Sequence, residues 1–185
     1  EDARNLIGAA VFRRGGAKQT LNLLQHWGTL MPDDLVTQHR LAAWFGQETP
    51  MRASDAYVTD LFDRYANSFD HDLGRLDYRA PELLTEAVAT VLGPPARTLE
   101  VLDAGCGTGL CGLRLRPYAQ RLIGVDLSPA MVEKARERGC YDELVVAELT
   151  AFLNEWPGRY GLITLVDTLV YFGDLAPVLT AAAHA

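Results

Sequence analysis

The sequence predicts an α/β fold, a doubly wound and mostly parallel sheet with a helical extension ahead of it. Three observations carry this reading. The apolar run Leu99-Glu-Val-Leu-Asp103 ends in an acid and is followed by glycines at 105, 107 and 109. A second run, Arg121-Leu-Ile-Gly-Val-Asp126, ends in another acid twenty-one residues past Gly105. From there to residue 185 short apolar runs alternate with helical patterns, as strands joined by crossover helices do. Ligands of open α/β sheets sit beyond the carboxyl ends of the strands. Asp103, the glycine run and Asp126 are therefore the first candidates for ligand contact.

The elements follow in order through three zones, 1–48, 49–97 and 98–185. In the first, Ala3 to Phe12 reads as a helix, Arg13-Arg-Gly-Gly16 as a turn, and Ala17 to Trp27 as a second helix. Pro32-Asp-Asp34 opens a third helix, which Gly46 ends. The second zone starts with a linker, Gln47 to Ser54, where Ser54 or Asp55 can cap the next helix. Tyr57 to Asp70 then reads as one helix, with Phe62, Tyr65, Ala66 and Phe69 on one face. Pro81 suits the first turn of a helix that runs to Leu92. In the third zone the strands are Leu99–Asp103, Leu122–Asp126, Leu144–Ala147 and Gly161–Val166. Ser128-Pro129 caps a helix that runs to Arg138 and ends at Gly139. Further helices are expected near Thr150–Glu155 and after Pro177.

Composition narrows the function classes. The chain has 185 residues, a hydrophobic fraction of 49% and a charged fraction of 22%, as in ordinary globular domains. A formal net charge of -7 argues against gripping nucleic-acid phosphates as a primary task. No apolar run is long enough to span a bilayer, and no signal peptide is visible, so a membrane role is not expected. Cys106, Cys111 and Cys140 lack metal spacing, and no His/Asp cluster has ligand spacing, so no metal site is expected. Free thiols and a cytoplasmic location are the matching expectation.

Two ligand registers compete at the glycine run. Gly107-x-Gly109-x-x-Gly112 fits the dinucleotide fingerprint, with Asp126 on a ribose. In the register that starts at the first glycine, Gly105, position 110 should be glycine and is Leu. The fuller pattern is Asp103-x-Gly-x-Gly-x-Gly109, with an acid at the strand end. Here the chain resembles the class I S-adenosylmethionine (SAM) dependent methyltransferases, whose first motif this is and whose nucleotide-binding core is Rossmann-like. A strand-end carboxylate suits a ligand with a cationic amino group and no pyrophosphate, so SAM is favoured over NAD. Val125-Asp-Leu-Ser-Pro-Ala-Met-Val-Glu-Lys-Ala135 matches the family's second motif. Phe62-Asp-Arg-Tyr-Ala-Asn-Ser-Phe-Asp70 is similar to the segment that covers the cofactor in many of its small-molecule members. Ile7-Gly8, Val11, Leu24, Trp27 and Pro32 sit where a tetratricopeptide repeat keeps its packing residues, and Thr20 departs from the small residue expected there. The whole resembles methyltransferases with N-terminal tetratricopeptide repeats, though any docked helical hairpin fits the first zone as well.

The resemblance implies a set of roles. The loop Gly105-Cys106-Gly107-Thr108-Gly109 lets backbone approach the amino-acid part of SAM. Asp103 binds its ammonium, directly or through water, or else caps loop N–H groups. Asp126 accepts both ribose hydroxyls, and Leu127 follows it in the site. Glu148 takes the adenine-contacting acid position, or a solvated one, and Leu149 packs on the ring. Asp167 holds the lid or meets the methionine end, and Tyr171 walls the substrate pocket. Tyr65 reaches the cofactor. Tyr78 and Arg79 line the cofactor entrance or anchor the lid. No general base is assigned: His26, His39, His71 and His184 lie outside every motif. The reaction implied is methyl transfer to a small-molecule acceptor, leaving S-adenosylhomocysteine (SAH), with the helical extension available to a protein partner. A SAM-binding sensor or scaffold without turnover is the alternative. The family's sheet has seven strands and this sequence ends after the fourth, inside a helix. An open edge at strand four would be a pairing hazard, so either a fragment of a longer chain or a partner that covers the edge is expected, the fragment first.

Overall fold

The computed structural model describes residues 3–45 and 53–185, with side chains over 11–43 and 53–185. It divides into two compact units, Glu1–Tyr57 and Val58–Ala185. Gly46 and most of the linker, 47–52, lie outside the described residues, as do the side chains of Ile7 and Gly8.

The first unit holds α1 (Ala3–Leu30) and α2 (Leu35–Phe45). The four-residue turn expected at Arg13–Gly16 shrinks to Gly16 alone, whose φ of 70° and ψ of -172° interrupt α1. Glycine reaches that conformation without a Cβ penalty, so one residue suffices to redirect the helix. Thr20 is fully buried and donates its hydroxyl to the Gly16 carbonyl, which occupies the acceptor at the interruption. Asp34 opens α2, and its carboxylate accepts from the Thr37 backbone N–H at 3.0 Å.

Most of α3 (Asp55–Tyr65) falls in the second unit, followed by α4 (Phe69–Arg75) and α5 (Ala80–Leu92). The single helix expected over Tyr57–Asp70 is thus broken at 66–68. Asn67 and Ser68 compete with the helix for its backbone hydrogen bonds. The break turns Phe69 back onto the others: its ring meets Tyr65 edge-on at 5.3 Å and Phe62 at 6.3 Å.

Four strands follow: β1 (Leu99–Ala104), β2 (Ala119–Asp126), β3 (Glu143–Val146) and β4 (Leu162–Thr164). They form one parallel sheet in the order β3-β2-β1-β4. The connecting helices are α6 (Gly112–Leu115), α7 (Pro129–Glu137) and α8 (Leu149–Asn154), with α9 (Ala176–His184) after β4. The sequence reading contained no α6, because a four-residue helix is too short to show a period. β4 is three residues long, against six expected, and pairs with β1 alone among the described residues, so it is one edge of the sheet, with β3 at the other.

The strands are apolar on both faces because both faces are covered. Leu102, Ala104, Ile123 and Val125 pack with Phe152 and Leu153 of α8 and Val178 of α9. Val101 and Leu122 face the other way, against Val88 of α5 and Leu115 of α6. Among the described residues, no helix is long and apolar enough to cross a membrane.

Candidate functional site

The strand ends bring the glycine loop beside Asp126. The N–H groups of Gly105 and Cys106 both donate to the Val125 carbonyl, at 2.8 and 3.0 Å, so the turn hangs from β2. The loop's first and second glycines differ. At Gly105 (φ +76°) a Cβ would overlap the side chain of Thr168, whose hydroxyl donates to the Ala104 carbonyl at 3.0 Å. At Gly107 (φ +53°) a Cβ would meet no atom within 4 Å. Backbone there faces open space, as a ligand cradle requires.

Asp126 spans the two loops. One carboxylate oxygen accepts from the Gly107 N–H at 2.8 Å and the other from the Ser128 N–H at 2.9 Å. Burial pushes its carboxyl up, and the backbone N–H groups of Ser128, Gly107 and Leu127 pull it back. Each oxygen keeps acceptor capacity beyond these bonds.

Asp103 lies deeper, 1% exposed. The Tyr141 hydroxyl donates to one oxygen at 2.7 Å and the Thr164 hydroxyl to the other at 3.2 Å. Burial pushes its carboxyl up to about 6, against the pull of these two donors. Among the described residues its partners are hydroxyls and not a cation. A buried carboxylate in that state is costly, on the order of several kcal/mol, until a cation joins it. The cationic amino group of SAM is chemically suited to that position, and the loop backbone at Gly107 faces open space. The residues present therefore fit the cofactor that the motif implies.

Helices α3 and α4 and the segment before α5 reach this site through polar contacts. Asp63 of α3 accepts from the Ser128 hydroxyl at 2.6 Å and the Ala130 N–H at 3.1 Å, at the N-terminus of α7. Asp70 of α4 accepts from the Thr108 hydroxyl at 2.5 Å and pairs with Arg138, which also donates to the Thr108 carbonyl. Tyr78 donates to Asp167 at 2.6 Å; burial, then this carboxylate, push its phenol well up. Tyr78 and Asp167 thus tie the segment before α5 to the segment after β4.

Other residues singled out from the sequence have these positions. Tyr65 is half-buried, with its phenol raised by burial and by Asp72. Arg79 is exposed at the N-cap of α5. Cys106 is buried under the loop, its thiol pushed well up by burial, so it is poorly reactive. Glu148 is the N-cap of α8, accepting from Thr150 N–H at 3.0 Å and Ala151 N–H at 2.7 Å, a capping role the sequence reading did not include. Leu149 is 7% exposed and packs in the core. The Tyr171 ring meets Phe62 edge-on at 5.2 Å.

Asp63, Asp70, Thr108, Arg138, Tyr141, Thr164 and Thr168 were missed. Their partners lie on other elements, and no local spacing announces them. Asp63 and Asp70 do fall inside the quoted lid motif, which was a usable signal. No group of three or more His, Cys, Asp or Glu side chains among the described residues could hold a metal ion.

Residues 101–185 match the family model described as a methyltransferase domain. Methyltransferase-like protein 27 of Homo sapiens is 40% identical over 90 residues, covering 48% of this chain and 37% of that protein. A ubiquinone biosynthesis O-methyltransferase of Xylella fastidiosa is 29% identical over 94 residues, covering 49% of this chain and 38% of that protein. The chain thus spans well under half the length of these curated relatives. Magnesium protoporphyrin IX methyltransferase from Synechocystis PCC 6803, solved with bound SAH, aligns with a TM-score of 0.52 at 20% identity. It covers 71% of this chain and 68% of that one, and shows the fold: Rossmann-like α/β, with a parallel four-strand sheet here and helices ahead of it.

Proposed function

We propose that this chain, whose residues 101–185 match the methyltransferase-domain family model, is a class I methyltransferase that binds SAM at the strand ends of β1 and β2 and transfers its methyl group to a small-molecule acceptor. The observation that carries the reading is Asp103, a buried carboxylate whose partners among the described residues are hydroxyls, in a strand leading into a glycine loop whose Gly107 faces open space.

Bound SAM would supply an electrophilic methyl group on a sulfonium. The protein's part is to bind, orient and exclude water. Asp103 takes the amino group, directly or through a water, and the loop from Gly105 to Gly109 lies along the amino-acid part. Asp126 offers its remaining lone pairs to the ribose hydroxyls, with Leu127 beside it. Glu148 and Leu149 flank the adenine. Phe62, Tyr65, Phe69 and Tyr171 close over the reacting end, and Tyr78 with Asp167 holds that cover. Arg79 stands at its rim. Holding an acceptor in line can lower the barrier by roughly 7–11 kcal/mol, so the reaction needs no further group unless the acceptor must first lose a proton.

The acceptor class rests on relatives. Their names include ubiquinone biosynthesis and malonyl-[acyl-carrier protein] O-methyltransferases, and also an 18S rRNA (guanine-N(7))-methyltransferase. The net charge of -7 disfavours the last. We read the helical unit as a partial tetratricopeptide-like element for a protein partner, supported by the burial of Leu24 in α1. Calorimetric titration with SAM, SAH and NAD tests the cofactor: heat from NAD alone overturns the proposal. Gly107→Ala should keep the native circular dichroism and lose SAH binding, since its Cβ enters the cradle. Methyl transfer from labelled SAM into cell extract separates an enzyme from a sensor.

A further inference from the structure

Tyr141 lies in the connection between α7 and β3, outside both motifs, yet four segments are arranged around it. A Cβ on Gly109, at the end of the glycine loop, would come within 3.0 Å of its ring. One on Gly112, in α6, would come within 2.5 Å of its hydroxyl oxygen. One on Gly124, in β2, would come within 2.9 Å of its ring. The fourth segment is β1, where the hydroxyl donates to Asp103 at 2.7 Å. Three glycines on three elements thus clear the space for one ring, and that ring delivers one hydrogen bond to the buried acid. A ring that only filled space would not need its oxygen at this carboxylate.

We propose that Tyr141 is a positioning residue of the cofactor site: its ring is the wedge on which the glycine loop, α6 and β2 close, and its hydroxyl fixes the Asp103 carboxylate to receive a cationic amino group. This rests on the reading of the site as a SAM site. The hydroxyl acts in two ways. It holds one oxygen of Asp103, so the carboxylate cannot rotate away from the loop. It also stabilises the ionised form that an ammonium needs. Thr164 holds the other oxygen from β4.

The titratable groups facing Asp103 are Tyr141 and Cys140 ahead of β3, Cys106 and Cys111 flanking the loop, Asp126 at the end of β2, and Tyr78 ahead of α5. Burial raises the thiols and phenols out of the acid range, Cys111 to about 12. The two carboxylates are left to titrate. Asp126 is held by backbone N–H groups that a change at Tyr141 does not touch.

SAH binding to the full chain, measured by calorimetry from pH 5 to 8, tests the inference. Wild-type binding is the control for the site itself: if wild type does not bind SAH, the cofactor reading fails first. Given wild-type binding, affinity should fall as pH drops through the Asp103 titration near 6. Tyr141→Phe keeps the ring and removes the donor. It should weaken binding at pH 7 by about tenfold, the scale of one hydrogen bond to a charged group. It should also move the pH midpoint upward, which a space-filling role would not do. Wild-type affinity with an unmoved midpoint in Y141F overturns the proposal. If Y141F melts too low to titrate, D103N and D103N/Y141F carry the comparison, because neither leaves a buried carboxylate short of its donor. They should bind SAH equally, since the hydroxyl acts through that carboxylate. A further tenfold loss in the double variant overturns the proposal.

Discussion

The lid and the sheet are held by different forces. In β1 and β2, Val101, Leu102, Ala104, Leu122, Ile123 and Val125 are fully buried, and their burial is apolar. In α3 and α4 no residue is buried, and only Ala66 between them is. The lid is attached instead by Asp63 to Ser128 and Ala130, by Asp70 to Thr108 and Arg138, and by Tyr78 to Asp167. Apolar burial is worth about 25 cal/mol per Å² and is not screened by salt as charge interactions are. Polar contacts at a half-exposed edge are worth less and respond to salt and charge. Under the proposed function, the difference separates a scaffold that must not move from a cover that would open for cofactor exchange.

The largest effect that would test this contrast lies in the sheet. Leu102→Ala should cost about 2–5 kcal/mol of global stability, read by denaturant unfolding, because the cavity opens between two covered faces. A cost below about 1 kcal/mol would put Leu102 outside the rigid core. Next is Asp63→Ala. Loss of its two hydrogen bonds should cost about 1.5 kcal/mol of lid closure, the low end for bonds to a charged group, since the site is half-exposed. Hydrogen exchange should quicken over residues 58–79 while the amides of β1 and β2 keep their rates. Equal quickening in both regions would remove the distinction between them. In wild type, SAH should slow exchange over the same residues; unchanged rates would make the segment fixed structure.

Smaller effects sharpen the picture. Raising salt should loosen the Asp70–Arg138 pair, whose side chains are 50% and 22% exposed, by about 0.2–1 kcal/mol. The readout is faster exchange in α4 with an unchanged melting temperature; salt-independent exchange would show that the pair carries none of the closure. Tyr65→Phe should do least, because its hydroxyl faces Asp72 within the lid rather than the sheet. Its exchange profile should match wild type outside residues 65–75, and a change in β1 would show a contact reaching the core.

Much of the site was legible in the sequence because its signals are local. A strand end, an acid and three glycines are read from one stretch of chain, and they land together at φ values of +76°, +53° and +84°. The second acid was legible for the same reason. The sheet itself was legible from four apolar runs, since strands buried on both faces need no polar alternation. The broken lid helix was less so: Asn67 and Ser68 weaken a helix, but where the chain turns next is decided by Phe69 meeting Phe62 and Tyr65.

The sequence by itself determined the succession of the four strands, the glycine loop and the two acids at strand ends, because each depends on neighbours in the chain. Only the tertiary structure decided which donors hold those acids and what fastens the lid. Tyr141 and Thr164 meet Asp103 across 38 and 61 residues, and Asp63 meets Ser128 across 65. Pairs so far apart leave no period or spacing in the sequence. They exist only once the sheet has brought the strand ends together and excluded the water that would otherwise have satisfied each group.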